Sequence, residues 1–127
     1  MRVRVLVVDD ETDVEMLFRQ QFRRELRERQ FVLDFALSAN EALGKVGAAE
    51  GDTIILLVSD INMPGMSGLD LLPRIKAERP DIPLFMVTAY GDDNTRKVAL
   101  ERGADGFLTK PIDFSALRSE VQARLAA

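Results

Sequence analysis

The chain contains no cysteine and no histidine, and its only tyrosine is Tyr90. Without cysteine there can be no disulfide, no thiolate nucleophile and no cysteine metal site. A cysteine-free chain fits a reducing compartment, and a cytoplasmic location is expected. Without histidine there can be no Ser-His or Cys-His nucleophile pair and no zinc-histidine centre. Nor can the chain carry phosphohistidine itself. No apolar run approaches the roughly 18 residues that suggest a membrane helix. The N-terminus meets acids by Asp9, so it does not read as a secretory signal. Excess positive charge is also absent. Seventeen basic residues face 21 acidic ones, for a net charge of −4, which argues against direct nucleic-acid binding. Any chemistry must come from carboxylates, lysines, hydroxyls and backbone.

What remains is a chain of 127 residues, 46 % hydrophobic and 30 % charged, read as one globular domain spanning 1–127. Linkers, repeats and low-complexity segments are missing. Apolar stretches at Arg2–Val8, Phe31–Ala36, Thr53–Val58, Leu84–Thr88 and Asp105–Thr109 read as strands. Between and after them lie five helical segments: Asp13–Arg29, Ser38–Ala49, Ser67–Glu78, Asp92–Arg102 and Asp113–Leu125. The first carries Val14, Leu17, Phe18, Phe22 and Leu26 at helical spacing, whereas the fourth is only faintly amphipathic. Such alternation predicts right-handed crossovers and an α/β fold with a doubly wound five-stranded parallel sheet. The second strand alternates most clearly and suits an edge. The first and third are the most uniformly apolar and suit the centre, which favours the order 2-1-3-4-5. Ligands of such flavodoxin-like sheets bind outside the carboxyl ends of the strands, near the point where strand order reverses. Here that point lies between the first and third strands.

The carboxyl ends carry the reactive residues. The first strand runs into Asp9 and Asp10, the third ends in Asp60, the fourth in Thr88, and the fifth in Lys110 followed by Pro111. Only the fold could bring such distant positions together. Three carboxylates on one rim repel one another unless a cation joins them. Oxygen ligands in a small hydrated site suit Mg²⁺. One carboxylate could then act as a nucleophile, with Thr88 and Lys110 as donors to phosphoryl oxygens.

Four strings at these ends, VVDDE, DINMPGMSG, VTAYG and GADGFLTKP, together resemble the bacterial two-component response-regulator receiver domain, over essentially the whole chain. The resemblance implies a phosphorylation-dependent signalling switch. Asp60 would accept a phosphoryl group from a phosphohistidine on a histidine kinase or histidine phosphotransfer protein. Asp10 would be a direct Mg²⁺ ligand, Asp9 a direct or water-mediated one, and the Asn62 carbonyl would complete the protein ligands. Thr88 and Phe107 would be the switch pair, and Lys110 would pair with a phosphoryl oxygen. Pro111 would follow a cis peptide bond, and Gly65 and Gly68 would shape the loop after the third strand. Asn62 and Tyr90 would tune access of water to the phosphoryl group. The surface of the fourth helix, fifth strand and fifth helix would shift for an unknown effector. The charges there (Arg96, Lys97, Glu101, Arg118, Glu120) allow a phosphorylation-dependent dimer without specifying one.

Structural readings compete at several positions. Asp13 reads as the cap of the first helix. Asp92 and Asp93 serve the start of the fourth. The arginines of the first helix (Arg19, Arg23, Arg24, Arg27, Arg29), interleaved with Glu25 and Glu28, read as a solvated face. Pro73 should kink or weaken the third helix. Other functions fit less well. A Mg²⁺-dependent phosphohydrolase would want an acid two residues after the nucleophile, where Asn62 stands. The chain is therefore expected to catalyse only its own phosphorylation and dephosphorylation. A flavin-mononucleotide carrier would want a phosphate loop where VVDDETD places acids. A degenerate receiver is at odds with the complete rim.

Overall fold

The computed structural model describes residues 3–48, 53–89, 91 and 93–126. Arg2, Ala49, Tyr90 and Asp92, which enter the sequence expectations, lie outside the described residues. Five strands, β1 (Val3–Val8), β2 (Val32–Ala36), β3 (Thr53–Asp60), β4 (Leu84–Thr88) and β5 (Gly106–Thr109), form one parallel sheet in the order β2-β1-β3-β4-β5. The sheet order and the edge position of β2 are as expected. The helices are α1 (Asp13–Gln21), α2 (Arg23–Arg27), α3 (Ala39–Ala48), α4 (Gly68–Glu78), α5 (Asp93–Glu101) and α6 (Phe114–Ala126).

The count of six rather than five reflects a break at Phe22 in the predicted Asp13–Arg29 helix. Hydrogen bonding carries through it, from the Phe22 N–H to Phe18 O at 3.0 Å and from the Leu26 N–H to Phe22 O at 2.9 Å. At the break, Arg118 of α6 donates to the Gln21 carbonyl and, at 2.8 Å, to Glu25. Glu25 is therefore buried in an ion pair. It does not share the exposed face on which Arg19, Arg23, Arg24, Arg27 and Arg29 lie. The Asp13 expectation also changes. Thr12 holds the N-cap position of α1 without a side-chain bond, and Asp13 is the first helical residue, where its charge still favours the helix amino end. Elsewhere capping follows sequence. Ser67 accepts from Asp70 N, Asp113 from Ser115 N and Ala116 N, and Ser38 from Glu41 N, while Glu41 reaches back to Leu37 N.

Strand residues alternate between two cores, as the period of two requires. Leu6, Val8, Leu57, Leu84 and Met86 pack with Ala39, Ala42, Val46, Leu71, Leu72, Ile75 and Ala99, under α3, α4 and α5. Val5, Val7, Leu56, Val58, Phe85 and Val87 pack with Phe18, Phe22, Leu117 and Val121, under α1, α2 and α6. The alternation slips once. Arg4 pairs with Ile54 and Val5 with Leu56, so Ile55 is an extra residue in β3 and joins Leu56 on the second face. β3 also runs two residues beyond the predicted Val58, and Asp60 is its last residue. Among the described residues no helix is long and apolar enough to cross a membrane.

Candidate functional site

The carboxyl ends of β1, β3, β4 and β5 open on one rim. β1 delivers Asp9 and Asp10 one and two residues past its last valine, and β3 delivers Asp60 at its tip. One carboxylate oxygen from each of these three acids lies within 4.8 Å of the others. Asp9 and Asp60 are buried, whereas Asp10 is exposed. Lys110, immediately after β5, brings its ammonium to 3.2 Å from Asp60 Oδ2 and 3.6 Å from Asp9 Oδ2. The Lys110–Pro111 peptide bond is cis. Side chains 50 and more residues apart in sequence thus meet because the parallel strands all end on the same rim.

Each group is held by local backbone. Asp9 Oδ1 accepts the Glu11 N–H at 2.9 Å, and Asp60 Oδ1 accepts the Asn62 N–H at 3.3 Å. The Ile61 N–H donates to Val87 O at 2.9 Å, and the Lys110 N–H to Thr88 O at 2.9 Å, which lashes the loops after β3 and β5 to β4. Thr88 is the last residue of β4 and almost fully buried. Gly68, at the start of α4, donates to Ile61 O at 2.8 Å. A Cβ at that glycine would collide with the Asp60 carbonyl oxygen, so the helix can approach the strand tip only because the residue has no side chain. Gly65 turns the intervening loop with φ +77°.

The charges do not balance. Among the described residues three carboxylates face one nearby ammonium, which leaves two negative charges concentrated where two of the acids are shielded from water. Burial pushes the Asp9 carboxyl above its usual range, and the neighbouring Asp60 adds to this, against the Glu11 amide and the Lys110 charge. Burial works against the Lys110 ammonium, yet Asp9 and Asp60 together hold its pKa above the usual lysine range. A hard, oxygen-seeking divalent cation fits this donor set, and the Asp9, Asp10 and Asp60 carboxylates are the groups that would hold it.

The remaining expected residues are placed as follows. Asn62 is exposed in the loop after β3, bonded through its amide to Asp60. Phe107 lies in β5, paired in register with Met86, and is half-buried against the α3/α4/α5 core. What sequence reasoning missed is the contact of Gly68 with the backbone of Asp60. The GMSG string carries the signal only as glycine spacing.

Comparison with known proteins bears on the family and the fold. The family model described as the response regulator receiver domain matches residues 5–122. The two-component response regulator PhoP of Pseudomonas aeruginosa is 34 % identical over 123 residues, covering 97 % of this chain and 52 % of PhoP. The response regulator MprA of Mycolicibacterium vanbaalenii is 31 % identical over 125 residues, covering 98 % of this chain and 51 % of MprA. The chain thus spans about half the length of these curated relatives. Among solved structures, a CheY-like receiver domain protein from Methanospirillum hungatei superposes with a TM-score of 0.83 at 28 % identity, covering 99 % of this chain and 95 % of that one.

Proposed function

This chain belongs to the response regulator receiver family, and we propose that it is a switch in which Asp60 accepts a phosphoryl group from a phosphohistidine on a histidine kinase or histidine phosphotransfer protein. The observation that carries the reading is the charge excess at the rim, three carboxylates around one lysine. Asp9, Asp10 and Asp60, with the Asn62 carbonyl, would hold Mg²⁺, whose contribution is to neutralise the acids and draw phosphoryl oxygens to the rim.

The chain's own groups do the rest. Asp60 is held by the Asn62 amide at Oδ1 and by Lys110 at Oδ2, so its carboxylate is fixed in place for in-line attack on phosphorus. The P–O bond forms at the Asp60 carboxylate as the P–N bond to the donor imidazole breaks, and the electron pair leaves with the imidazole. Lys110 then turns from Asp60 to a phosphoryl oxygen, and the Thr88 hydroxyl donates to another. Inward movement of Thr88 frees space that Phe107 fills, and the α5/β5/α6 surface is re-presented to an effector. The chain is not an enzyme acting on a separate substrate, because Asn62 offers no acid or base two residues past the acceptor. A cytoplasmic site of action follows from the donor.

The test is substitution of the acceptor. Asp60→Asn should abolish Mg²⁺-dependent labelling by acetyl phosphate while leaving the fold intact. Labelling equal to wild type would refute the assignment.

A further inference from the structure

Pro73 is the sixth residue of α4 (Gly68–Glu78), yet the helix continues through it. In a regular helix the Leu69 carbonyl would accept the N–H four residues on, and that residue is Pro73, which has none. The missing donor comes from another helix. Arg102, directly after α5, donates from Nη1 to Leu69 O at 2.8 Å and to Asp70 Oδ1 at 3.2 Å. Its own N–H is closed on Val98 O at 3.0 Å, so the arginine is anchored in the last turn of α5. The Arg102 and Asp70 side chains are 40 % and 65 % exposed, so their ion pair is weak. The bond to the orphaned carbonyl, charge-assisted, is the stronger link.

That carbonyl belongs to the residue after Gly68. The first turn of α4 thus does two things at once. Its Gly68 presses on the Asp60 backbone and bonds Ile61 O, and its Leu69 is fastened to α5. Further along α4, Lys76 donates to Ile82 O at 2.7 Å and to Asp105 Oδ2 at 2.8 Å, and Asp105 Oδ2 also accepts the Leu84 N–H at 2.8 Å. The body of α4 is therefore tied down without Arg102, whereas its first turn is held by the Ser67 cap, by the Gly68 N–H on Ile61 O and by that arginine.

We propose that Arg102 is a positioning residue for Asp60: it supplies the donor that Pro73 withholds and so pins the first turn of α4 against the tip of β3. The proposal rests on the reading of Asp60 as phosphoryl acceptor. If the first turn frays, Gly68 withdraws, the segment from Asp60 to Gly68 loosens at one end, and the Asp60 carboxylate loses its fixed relation to Asp9 and Lys110. Sub-ångström placement of reacting groups carries a large share of such rates.

The experiment is a thermodynamic and kinetic cycle on the full chain: wild type, Arg102→Ala, Pro73→Ala, and both together. The readouts are melting temperature without metal and initial rate of Mg²⁺-dependent labelling by acetyl phosphate at 25 °C, where all four are folded. Arg102→Ala should lower the melting temperature by about 4 °C and the labelling rate about fivefold. In the Pro73→Ala background, where the helix regains its own N–H, the same change should shift melting by less than about 1 °C and leave the rate within about twofold. Losses that simply add in the double variant would overturn the proposal. So would a rate unaffected by Arg102→Ala despite a lowered melting temperature, because the link would then be structural alone. A wild-type chain that takes no label would overturn the acceptor reading and the positioning role with it, while the melting cycle would still decide whether Arg102 replaces the proline's donor.

Discussion

Asp9 and Asp34 are the same side chain in two charged clusters, and their carboxyls are shifted in opposite directions. Asp34 sits in edge strand β2, bonded by Lys45 of α3 at 2.8 Å and by Arg4 of β1 at 3.1 Å. Burial pushes its carboxyl upward, but the Lys45 bond and charge, the Phe35 amide and Arg4 outweigh this and hold it below the usual range. At the rim the ratio is reversed: Asp9, Asp10 and Asp60 face Lys110. Burial and the adjacent Asp60 carry Asp9 upward. The Asp34 cluster is closed on itself and holds α3 on the sheet. The rim carries more negative than positive charge, and its oxygen donors could hold a divalent cation. Partial burial is common to both, so the number of cationic side chains within reach is what separates a closed ion pair from a donor set that could hold a metal ion.

That contrast can be broken or sharpened by substitution. The largest effect is expected at Lys110. Lys110→Ala removes the ammonium that pairs with Asp60 and Asp9, and labelling by acetyl phosphate should fall about 100-fold. A loss under about threefold would mean that Lys110 only balances charge at rest.

Metal binding should come next. Addition of Mg²⁺ to ten times its dissociation constant should stabilise the chain by about 1.4 kcal/mol, read as a rise in melting temperature. The rise should vanish in Asp9→Asn combined with Asp10→Asn and survive in Asp34→Asn.

The two aspartates should then differ in the sign of their pH dependence. A carboxyl raised in the folded state binds its proton more tightly there than in the unfolded chain. The contribution of Asp9 is therefore full below its unfolded pKa and is lost as pH rises through its folded one. A lowered carboxyl does the reverse. The contribution of Asp34 is present above its unfolded pKa and is lost as pH falls through its folded one. Without metal at neutral pH, Asp9→Asn should raise the melting temperature. Asp34→Asn should cost about 1 kcal/mol at neutral pH and converge on wild type in acid. Denaturation curves across pH would show both. The smallest effect is expected at Arg4, the longer and more weakly placed of the two Asp34 partners. Arg4→Gln should cost a few tenths of a kcal/mol.

Much of this architecture is legible in the sequence because it depends on local pattern. Continuous apolar runs in β1 and β3 and the alternation of Leu33, Asp34 and Phe35 in β2 fix which strands are central and which lies at the edge. Once the order is known, the residues at the strand tips are neighbours by topology, which is why Asp9, Asp10, Asp60 and Lys110 can be grouped beforehand. The unforeseen features are bonds between side chains and backbone far away in sequence. Glu25 looks like one of several exposed helix charges until Arg118, 93 residues later, meets it. Pro73 reads as a defect until Arg102 supplies its missing donor. No local pattern announces the slip at Ile55 or the break at Phe22 either.

The central claim is that the acidic rim is completed by a divalent cation and that Asp60 then takes up phosphorus. Intact-mass measurement after acetyl phosphate treatment, with Mg²⁺ and with a chelator, followed by peptide mapping, tests it most directly. The account predicts one added phosphoryl group, only with Mg²⁺, on the peptide containing Asp60. Modification without the metal, or on a peptide lacking Asp60, would contradict it.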